Sequence, residues 1–583
     1  MNFKDNGYNM VLFKVDINFL VFNQFFELLL VSKDKLWELP QAEKIEGEIG
    51  DGNLIEALVP GISSKVPFRI IRISDDCTLA IHWDSALEIK NQNSETLEFL
   101  FQNKNLVSPE LQKLFPTIRK IAYKIPYIFQ KKNQYIYPFR TKRDRNSGVY
   151  QIDHQSDKLY QSDLCKTIKL LKRTKERTSG DSAWVDFGKV RYVIPSHFGF
   201  CLGVQNAIER AYEALTLNPD KRVFMLSDLI HNPFVNEDLN RRGLRYLQTD
   251  KRVPVMDEKT GLKNWDTITK DDVVIIPAFG ATDEDKSRLI EKGIPFTQFD
   301  ATCMLVEKVW KAAKKYGQKG YSIIIHGKSE HEETRTTFSN ATKSAPSVII
   351  RNLVEAQQLI EVIRAKDPDE KSKLFAPFIE KSSEDFDPNK HLDRIAVVNQ
   401  TTLLRNETLE IISNLEKTFA SLYGKENVIE HISKQQDTLC YATQVNQDAL
   451  THALGRGIDF AIIVGGKKSS NTYQLFRICE EKLGDRVAYI QSEDNILSSD
   501  EILHYLFISD PKNKNQGKLI KRPFLNKSEK PFNILISGGA SCPDGLIQQV
   551  INKINGFYPA GLLRPIEDVL RDVENDEDLA QLL

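Results

Sequence analysis

The sequence predicts an α/β protein built from several small parallel sheets. From residue 190 onward, short apolar runs typical of buried strands alternate with stretches of helical periodicity, and each run ends in a polar or glycine-rich turn. Three single cysteines, more than a hundred residues apart, follow the same strand–cysteine–helix order. Because ligands collect at the carboxyl ends of parallel strands, these turns are expected to assemble one site from three lobes. The apolar runs lie at 190–194, 273–276, 322–325, 395–398, 460–464 and 534–536.

Length and composition favour a soluble globular protein. The chain has 583 residues, too many for one hydrophobic core, which indicates about three or four domains. Its formal net charge of -1 gives no reason to expect nucleic acid or a membrane as a partner. Seven cysteines are too few for a disulfide framework in so long a chain, so we expect a reducing compartment, the cytoplasm. The apolar run 19–31 contains Asn23, Gln24 and Glu27 and is too short to span a bilayer.

The first part of the chain is expected to form a separate N-terminal region. Residues 1–145 contain two short runs typical of strands, 66–73 and 79–83, so this region is folded sequence. It contains no chemical motif, and the sequence leaves its role open. Residues 146–188 are polar and are predicted to be a connector.

Three consecutive lobes follow, each with one of the three cysteines. They are predicted at 189–302, 303–437 and 438–550, with a C-terminal tail at 551–583. Two polar insertions interrupt the strand–helix alternation, at 365–390 and 510–533, and are predicted to be surface loops.

The three cysteines, Cys201, Cys303 and Cys440, are candidate metal ligands. Each stands just before a stretch of helical spacing, and the N–H groups at a helix N-terminus stabilise a thiolate. Three thiolates brought together need a cation, and soft sulfur selects zinc, copper or an iron–sulfur cluster. Taken singly, a free cysteine is more often a small buried hydrophobic residue, but the repeated local plan favours the ligand role. The alternative is a structural zinc site in a non-catalytic binding or scaffold protein, although zinc sites usually use cysteines in close pairs.

Two glycine- and serine-rich turns are candidate anion sites. Residues 465–472 follow an apolar strand, and their glycines and polar side chains form a suitable cradle for phosphate at a helix start. They are not a P-loop, because Ala461 and Lys468 stand where a glycine and a hydroxyl residue are required. Residues 537–543 form a second turn of this kind. Helix capping explains either turn alone about as well.

Two histidines follow strands in similar turns. His231 comes straight after an apolar run, and His331 stands two residues before Glu333. A lone histidine in such a place is more often a core or capping residue. The pairing of His331 with a carboxylate, however, suits anion binding together with proton donation. A zinc-protease motif is excluded because Arg335 stands where the second histidine ligand is required.

Taken together and in order, these motifs resemble the 4-hydroxy-3-methylbut-2-enyl diphosphate reductase family. The resemblance covers roughly residues 150 to 550 and is closest to the plant and cyanobacterial branch, to judge from 277–280 and 326–328. The motifs that carry it are Cys201, His231-Asn232-Pro233, Ala301-Thr302-Cys303, His331-Glu332-Glu333-Thr334, Gln400-Thr401-Thr402, Asp437-Thr438-Leu439-Cys440, Ser469-Ser470-Asn471 and Gly539-Ala540-Ser541.

The resemblance implies a fold, a cofactor and a reaction. Cys201, Cys303 and Cys440 would hold a [4Fe–4S] cluster at the centre of a three-lobed α/β trefoil, with one iron open to the substrate hydroxyl. The reaction would reduce the allylic diphosphate to isopentenyl and dimethylallyl diphosphate, with electrons from ferredoxin or flavodoxin.

The same resemblance assigns roles to individual residues. Thr401 and Glu333 would lie by the substrate hydroxyl, with Glu333 in the proton path. Phe279 departs from the other bacterial branch, which has a histidine at this position, so one imidazole contact to substrate is in question here. The diphosphate would be bound by His231, His331, Ser469, Ser470, Asn471 and Ser541.

Overall fold

The computed structural model describes residues 147–573, apart from 174–179, 295–298, 434–437, 439, 507–517, 526–529 and 560, together with five strands of the N-terminal region. Those five strands pair antiparallel with one another in one sheet. The two strands predicted in this region are confirmed. In sheet order the strands are Leu28–Ser32, Asn18–Phe22, Tyr8–Val15, Cys77–Asp84 and Arg69–Ser74.

Beyond the N-terminal region, the described residues form three sheets whose strands pair almost entirely in parallel, and a separate two-stranded hairpin; the helix-covered parallel sheets confirm the predicted α/β class. The first sheet has the strand order Val273–Ile275, Val223–Met225, Leu244–Tyr246. The second has the order Ser347–Ile350, Ser322–His326, Ile395–Asn399. The third has the order Val487–Ile490, Phe460–Val464, Phe532–Gly538, Val190–Ile194, Ala183–Asp186, and only its last pair is antiparallel.

Helices of this part of the chain cover the sheets, as parallel strands require. The α-helices span His154–Tyr160, Asp163–Lys172, Leu202–Leu217, Pro233–Arg241, Asn264–Thr267, Asp283–Glu291, Met304–Gly317, Glu332–Ala341, Leu353–Arg364, Pro368–Phe375, Pro388–His391, Arg405–Tyr423, Val428–His431, Tyr441–Ala453, Ser470–Leu483 and Asp544–Asn555. Short 3₁₀ helices span Ser147–Gln151, Ala376–Lys381 and Glu493–Asn495, and an antiparallel hairpin joins Glu501–Leu506 to Lys518–Pro523.

Strand Val190–Ile194, predicted to open the first lobe, lies in the third sheet and pairs with Phe532–Gly538. Tyr192 and Ile194 are buried there against Phe460 and Ile534. The predicted first lobe therefore does not coincide with the first sheet at this strand. An apolar run in the sequence indicates a buried strand but does not show which strand it pairs with.

Residues 146–188, predicted to be a connector, also differ from the expectation. Leu164 and Ile168 of helix Asp163–Lys172 are buried in the core of the third sheet, and strand Ala183–Asp186 forms that sheet's edge. From the predicted tail, Val569 and Val573 of the helical stretch 566–573 are buried in the same core, and residues beyond 573 lie outside the described part.

The prediction of a surface loop at 365–390 is wrong. This segment forms two α-helices and a 3₁₀ helix, and each of the α-helices has a proline at its start and an aspartate that caps it. Phe375 and Phe378 are buried in the core beside the second sheet. These two aromatic anchors stabilise a segment whose other side chains are mostly polar. In the second insertion, Lys518–Pro523 is a strand, while 510–517 and 526–529 lie outside the described residues.

The path of the chain connects the three parallel sheets in a cycle. The chain leaves the third sheet after residue 194, crosses to the first, then to the second, and returns to the third at residue 460. Helix Leu202–Leu217 packs in the core of the first sheet, Met304–Gly317 in that of the second, and Tyr441–Ala453 in that of the third. Among the described helices, none is long and apolar enough to cross a bilayer.

Candidate active site

Each of the three cysteines lies at a crossover between two sheets. Cys201, Cys303 and Cys440 are the N-cap residues of the helices Leu202–Leu217, Met304–Gly317 and Tyr441–Ala453. The helix N-termini predicted at these positions are therefore confirmed. Since each of these helices carries the chain from one sheet to the next, the three cysteines belong to three different junctions of the fold.

The three thiols lie close together. A Cβ atom added to Gly203 would come within 2.6 Å of the Cys303 Sγ and 3.9 Å of the Cys201 Sγ. The charges of Cys201 and Cys440 both act on the Cys303 thiol. The backbone N–H of Cys201 also donates to the carbonyl of Ala540 at 3.2 Å, which joins the cysteine turn to the predicted anion turn of the third lobe.

Burial affects the pKa of these three thiols more than the helix N-termini do. The backbone N–H of Val204 donates to the Cys201 sulfur at 3.5 Å, and nearby backbone N–H groups lower the pKa of all three thiols, as predicted. Desolvation is the larger effect, and it raises the pKa of all three, that of Cys440 to about 12. The expected thiolate is therefore not formed by the helix ends alone. A bound cationic group is needed to hold three buried thiolates together.

The arrangement does not support a structural zinc site. Among the described residues, no group of three or more His, Cys, Asp or Glu side chains is placed to hold a single metal ion. A mononuclear zinc site requires its ligands to converge on one atom. The donor set, three soft thiols, instead suits a cluster larger than one ion, and residue 203 must be a glycine because a Cβ there would come within 2.6 Å of the Cys303 Sγ.

The two predicted histidines form a buried pair. The Nε2 atoms of His231 and His331 are 3.2 Å apart. His331 caps helix Glu332–Ala341, and its Nδ1 accepts the N–H of Glu333 at 3.2 Å. The neutral His331 ring then carries its proton on Nε2 and donates to His231, which leaves the proton of His231 on Nδ1. Burial lowers both pKa values, that of His231 to about 4, so both rings are neutral at pH 7.

Phe279, the residue that departs from the other bacterial branch, packs on this pair. Its ring stacks on His231 with centroids 4.4 Å apart and meets His331 edge-on at 5.7 Å. Phe279 therefore offers no polar contact of its own and fixes the orientation of the His231 ring instead. The Nδ1 atom of His231 is buried and has no hydrogen-bond partner among the described residues. It is a donor available to an anion.

The two neighbouring glutamates point to different partners. The Glu333 carboxylate accepts the backbone N–H of Thr401 at 2.5 Å. This hydrogen bond joins the helix that carries Glu333 to the turn after strand Ile395–Asn399. The Glu332 carboxylate lies 4.0 Å from the Nε2 of His231 and bonds to Ser227. Both are buried, and desolvation raises the pKa of Glu333 to about 7 and that of Glu332 to about 8. Each can hold a proton near neutral pH, as a general acid must.

The two predicted anion turns meet face to face. Ser469 caps helix Ser470–Leu483, and its Oγ lies 3.3 Å from the Oγ of Ser541 in the other turn. The Oγ1 of Thr472 fills the space above Gly539, where a Cβ would come within 2.0 Å. Only glycine allows this approach, so the glycines serve close packing of the two turns.

Two polar groups of this region stay without partners. The Oγ of Ser470 and the Nδ2 of Asn471 are buried and form no hydrogen bond among the described residues. The Oδ1 of Asn471 accepts the N–H of Ala540 at 2.8 Å, which fixes the amide so that its NH₂ group is turned away from that contact. Unsatisfied buried donors are costly unless a ligand meets them. These two donors therefore mark an anion site more strongly than Ser469, whose hydroxyl serves as a cap.

The first and third lobes are tied together at this site. The Nζ of Lys468 lies 3.0 Å from Asp250 and 3.4 Å from Asp228, two aspartates of the first lobe. The side-chain amide of Asn232 donates to the carbonyl of Ser541 at 2.9 Å. Sequence reasoning missed Lys468 as an inter-lobe contact, because a lysine in a glycine-rich turn more readily suggests a phosphate ligand.

The fold and the site define an α/β protein that brings thiols from three junctions near turns with buried polar donors that have no partner among the described residues. The comparisons with known proteins agree. The family described as LytB protein matches residues 193–555. The 4-hydroxy-3-methylbut-2-enyl diphosphate reductase of Prochlorococcus marinus subsp. pastoris is 33% identical over 398 residues, which cover 68% of this chain and 91% of that protein. The reductase of the same name from Thermosynechococcus vestitus is 34% identical over 404 residues, 69% of this chain and 91% of that protein.

The chain belongs to the LytB family, and the two relatives above carry the name of a reductase. Two solved structures are similar over most of their length. The (E)-4-hydroxy-3-methyl-but-2-enyl diphosphate reductase described as the terminal enzyme of the non-mevalonate pathway aligns with a TM-score of 0.38 at 23% identity, covering 63% of this chain and 99% of the other. The Plasmodium falciparum reductase aligns with a TM-score of 0.44 at 19% identity, covering 67% and 99%.

Proposed function

We propose that this chain reduces 4-hydroxy-3-methylbut-2-enyl diphosphate to isopentenyl and dimethylallyl diphosphate, the last step of the non-mevalonate isoprenoid pathway. One observation carries the proposal. Three thiols come from three inter-sheet junctions, and the turn after Phe460–Val464 holds buried donors that have no partner among the described residues. Membership of the LytB family, in which relatives of this name share about a third of their residues with the chain, supports it.

The reaction needs two electrons and two protons. The allylic C–O bond breaks, one proton leaves with the hydroxyl oxygen as water, and the other proton ends on a carbon of the allylic group, at either of its two ends. The protein must therefore bind the diphosphate, deliver a proton to the hydroxyl and bring in electrons.

Cys201, Cys303 and Cys440 are the residues that would hold a [4Fe–4S] cluster. Their soft thiols suit iron, and the missing side chain of Gly203 lets the Cys303 sulfur take its position. When bound, such a cluster supplies electrons and, with three protein ligands for four irons, an iron open to a substrate oxygen.

The diphosphate is held by neutral donors on the two facing turns and on the histidine pair. Ser470 and Asn471 provide buried donors without protein partners, and His231 provides its Nδ1–H. Ser469, Ser541 and His331 complete this group of diphosphate-binding residues. The two serine hydroxyls contact each other, and His331 is hydrogen-bonded to His231. Neutral donors arranged in a buried pocket bind an anion without the cost of burying a protein charge.

Glu333 supplies the proton for the leaving hydroxyl. Water is a far better leaving group than hydroxide, so cleavage needs an acid within reach of the oxygen. Burial raises the pKa of Glu333 to about 7, so its carboxyl carries a proton in a large fraction of molecules at neutral pH. The bond from Thr401 holds this carboxyl against the second sheet's turn, and the Thr401 hydroxyl stands beside it as a relay. The electrons come from a small carrier protein, a ferredoxin or a flavodoxin.

The test is anaerobic purification followed by metal analysis and turnover. We expect brown protein with about four iron and four sulfide per chain, and reduction of the allylic diphosphate with an artificial electron donor. Serine in place of Cys201, Cys303 or Cys440 should abolish both, whereas serine in place of the buried Cys165 or Cys479 should change neither. Colourless protein loaded with zinc, or iron loss in the control variants while they stay folded, would contradict the proposal.

A further inference from the structure

The helix that begins at Cys303 carries an exposed stripe of one methionine and three lysines. Helix Met304–Gly317 buries its apolar side, including Val309 and Ala313, against the second sheet. The outward positions are separated by four, three and four residues, which places them on one face of the helix, along about 16 Å of its length. These residues are Met304, Lys308, Lys311 and Lys315.

Of the three helices that begin at these cysteines, this one has the most exposed first residue. Met304, the residue next to Cys303, is 38% exposed. Leu202 and Tyr441, which follow the other two cysteines, are less exposed. A surface residue bonded directly to a site cysteine offers a short covalent path from solvent to the buried thiols. Electron transfer between proteins slows steeply with distance, so this path is favoured over longer ones.

The positive charge of the stripe is only partly balanced. Lys311, whose side chain is 56% exposed, pairs with Glu307 at 3.1 Å. Within the part of the chain that the structure describes, no carboxylate pairs with Lys308 or Lys315. The helix dipole favours a lysine in the last turn, such as Lys315, but it gives no reason for Lys308 in the first half. The other two cysteine-bearing helices have no exposed lysine.

We infer that this stripe is the docking face for an acidic one-electron carrier protein. The inference rests on the proposed function, because that reaction requires electrons from a separate molecule. Three exposed lysines around Met304 complement a carboxylate-rich partner and would steer its approach. Met304 gives the contact an apolar centre next to Cys303, while the lysines form its charged rim.

The test compares a charge-reversal triple variant with a matched control. In the stripe variant Lys308, Lys311 and Lys315 become glutamate. The control reverses three exposed lysines on other parts of the second lobe, namely Lys373, Lys417 and Lys425. A plant-type ferredoxin is the probe, and its Kd for each holoenzyme is measured by titration calorimetry at two salt concentrations. Turnover is measured with this ferredoxin and, separately, with reduced methyl viologen, which needs no docking face.

The stripe variant should bind ferredoxin about 10- to 100-fold more weakly than the wild type and lose its salt dependence, while viologen-driven turnover stays unchanged. The control should bind like the wild type. Carbodiimide cross-linking of the wild-type complex should join ferredoxin carboxylates to the stripe lysines, which tests the surface without any substitution. Equal ferredoxin binding by both variants, or cross-links on another surface, would overturn the inference.

Two further results separate an error in the docking face from an error in the proposed reaction and from binding of the stripe to a membrane. Loss of viologen-driven turnover in the wild-type protein would contradict the proposed function itself, whatever ferredoxin does. Binding of the wild type to vesicles rich in phosphatidylserine that disappears in the stripe variant, with ferredoxin binding unaffected, would assign the stripe to a membrane surface and overturn the docking of a carrier protein.

Discussion

Replacing Glu333 by glutamine is expected to remove the proton donor and leave its pocket in place. The Glu333 side chain is 1% exposed, and its carboxylate accepts the N–H of Thr401 at 2.5 Å. A glutamine amide oxygen can accept the same bond, so the turn after the second sheet should keep its position. A general acid contributes about 10²–10⁴-fold, and kcat at pH 7 should fall by a factor in that range with little change in KM or iron content.

The pH dependence of kcat gives the sharper test of this role. Because burial raises the Glu333 pKa to about 7, the acid is protonated below that pH and ionised above it. Wild-type kcat should therefore be nearly constant below pH 7 and should fall about tenfold per pH unit above it. The Glu333→Gln variant has no such proton, so this descent should be absent from its profile. A wild-type profile that rises through pH 7 would refute the assignment.

Glu332→Gln is the matched control, since it makes the same change one residue away in an equally buried place. Glu332 faces Ser227 and the Nε2 of His231, on the diphosphate side of the pocket. The Glu332→Gln substitution should therefore raise KM more than it lowers kcat. If Glu332→Gln lowers kcat as much as Glu333→Gln, the choice of proton donor within this pair is wrong, even with the family membership intact.

Three further changes test the site and its boundaries. Gly203→Ala places a methyl carbon 2.6 Å from the Cys303 Sγ, too close for the two atoms, so the sulfur must move and metal analysis of the folded variant should show loss of most of its iron; full iron content would contradict the arrangement of the thiols. Ser470→Ala removes a buried hydroxyl without a protein partner, and steady-state kinetics should show KM raised about 10- to 100-fold with kcat little changed; an unchanged KM would remove this turn from the substrate site. Deleting residues 1–146 should leave viologen-driven turnover intact, whereas extending the deletion through Tyr150, which is buried in the core of the first sheet, should cost about 3 kcal/mol in the free energy of unfolding; equal stability of the two truncated chains would contradict this boundary.

Most of the site residues could be predicted from the sequence because their signals are local. A cysteine just before helical spacing marks a helix N-terminus, and Cys201, Cys303 and Cys440 all lie there. The same holds for Ser469, a helix cap after a strand and two glycines. Such patterns depend on a few neighbouring residues, whose dihedral angles and hydrogen bonds are decided within one turn of the chain.

The partners of those residues required the tertiary structure. Nothing in the sequence distinguishes the directions of Glu332 and Glu333, one facing His231 and the other Thr401, because adjacent helical residues diverge and only the packing of the lobes decides what each meets. The membership of strand Val190–Ile194 in the third sheet depends on its pairing with Phe532–Gly538, a strand that lies far away along the chain.

The chemical state of the site was also decided in three dimensions. The helix N-termini at Cys201, Cys303 and Cys440 alone predict thiolates, but desolvation raises the pKa of each thiol, and burial depends on all three lobes together. The sequence by itself determined which residues stand at the junctions of the fold. The tertiary structure decided that those junctions meet where desolvation disfavours free thiolates, so that three thiolates need a cationic group, and where a buried carboxyl can keep its proton.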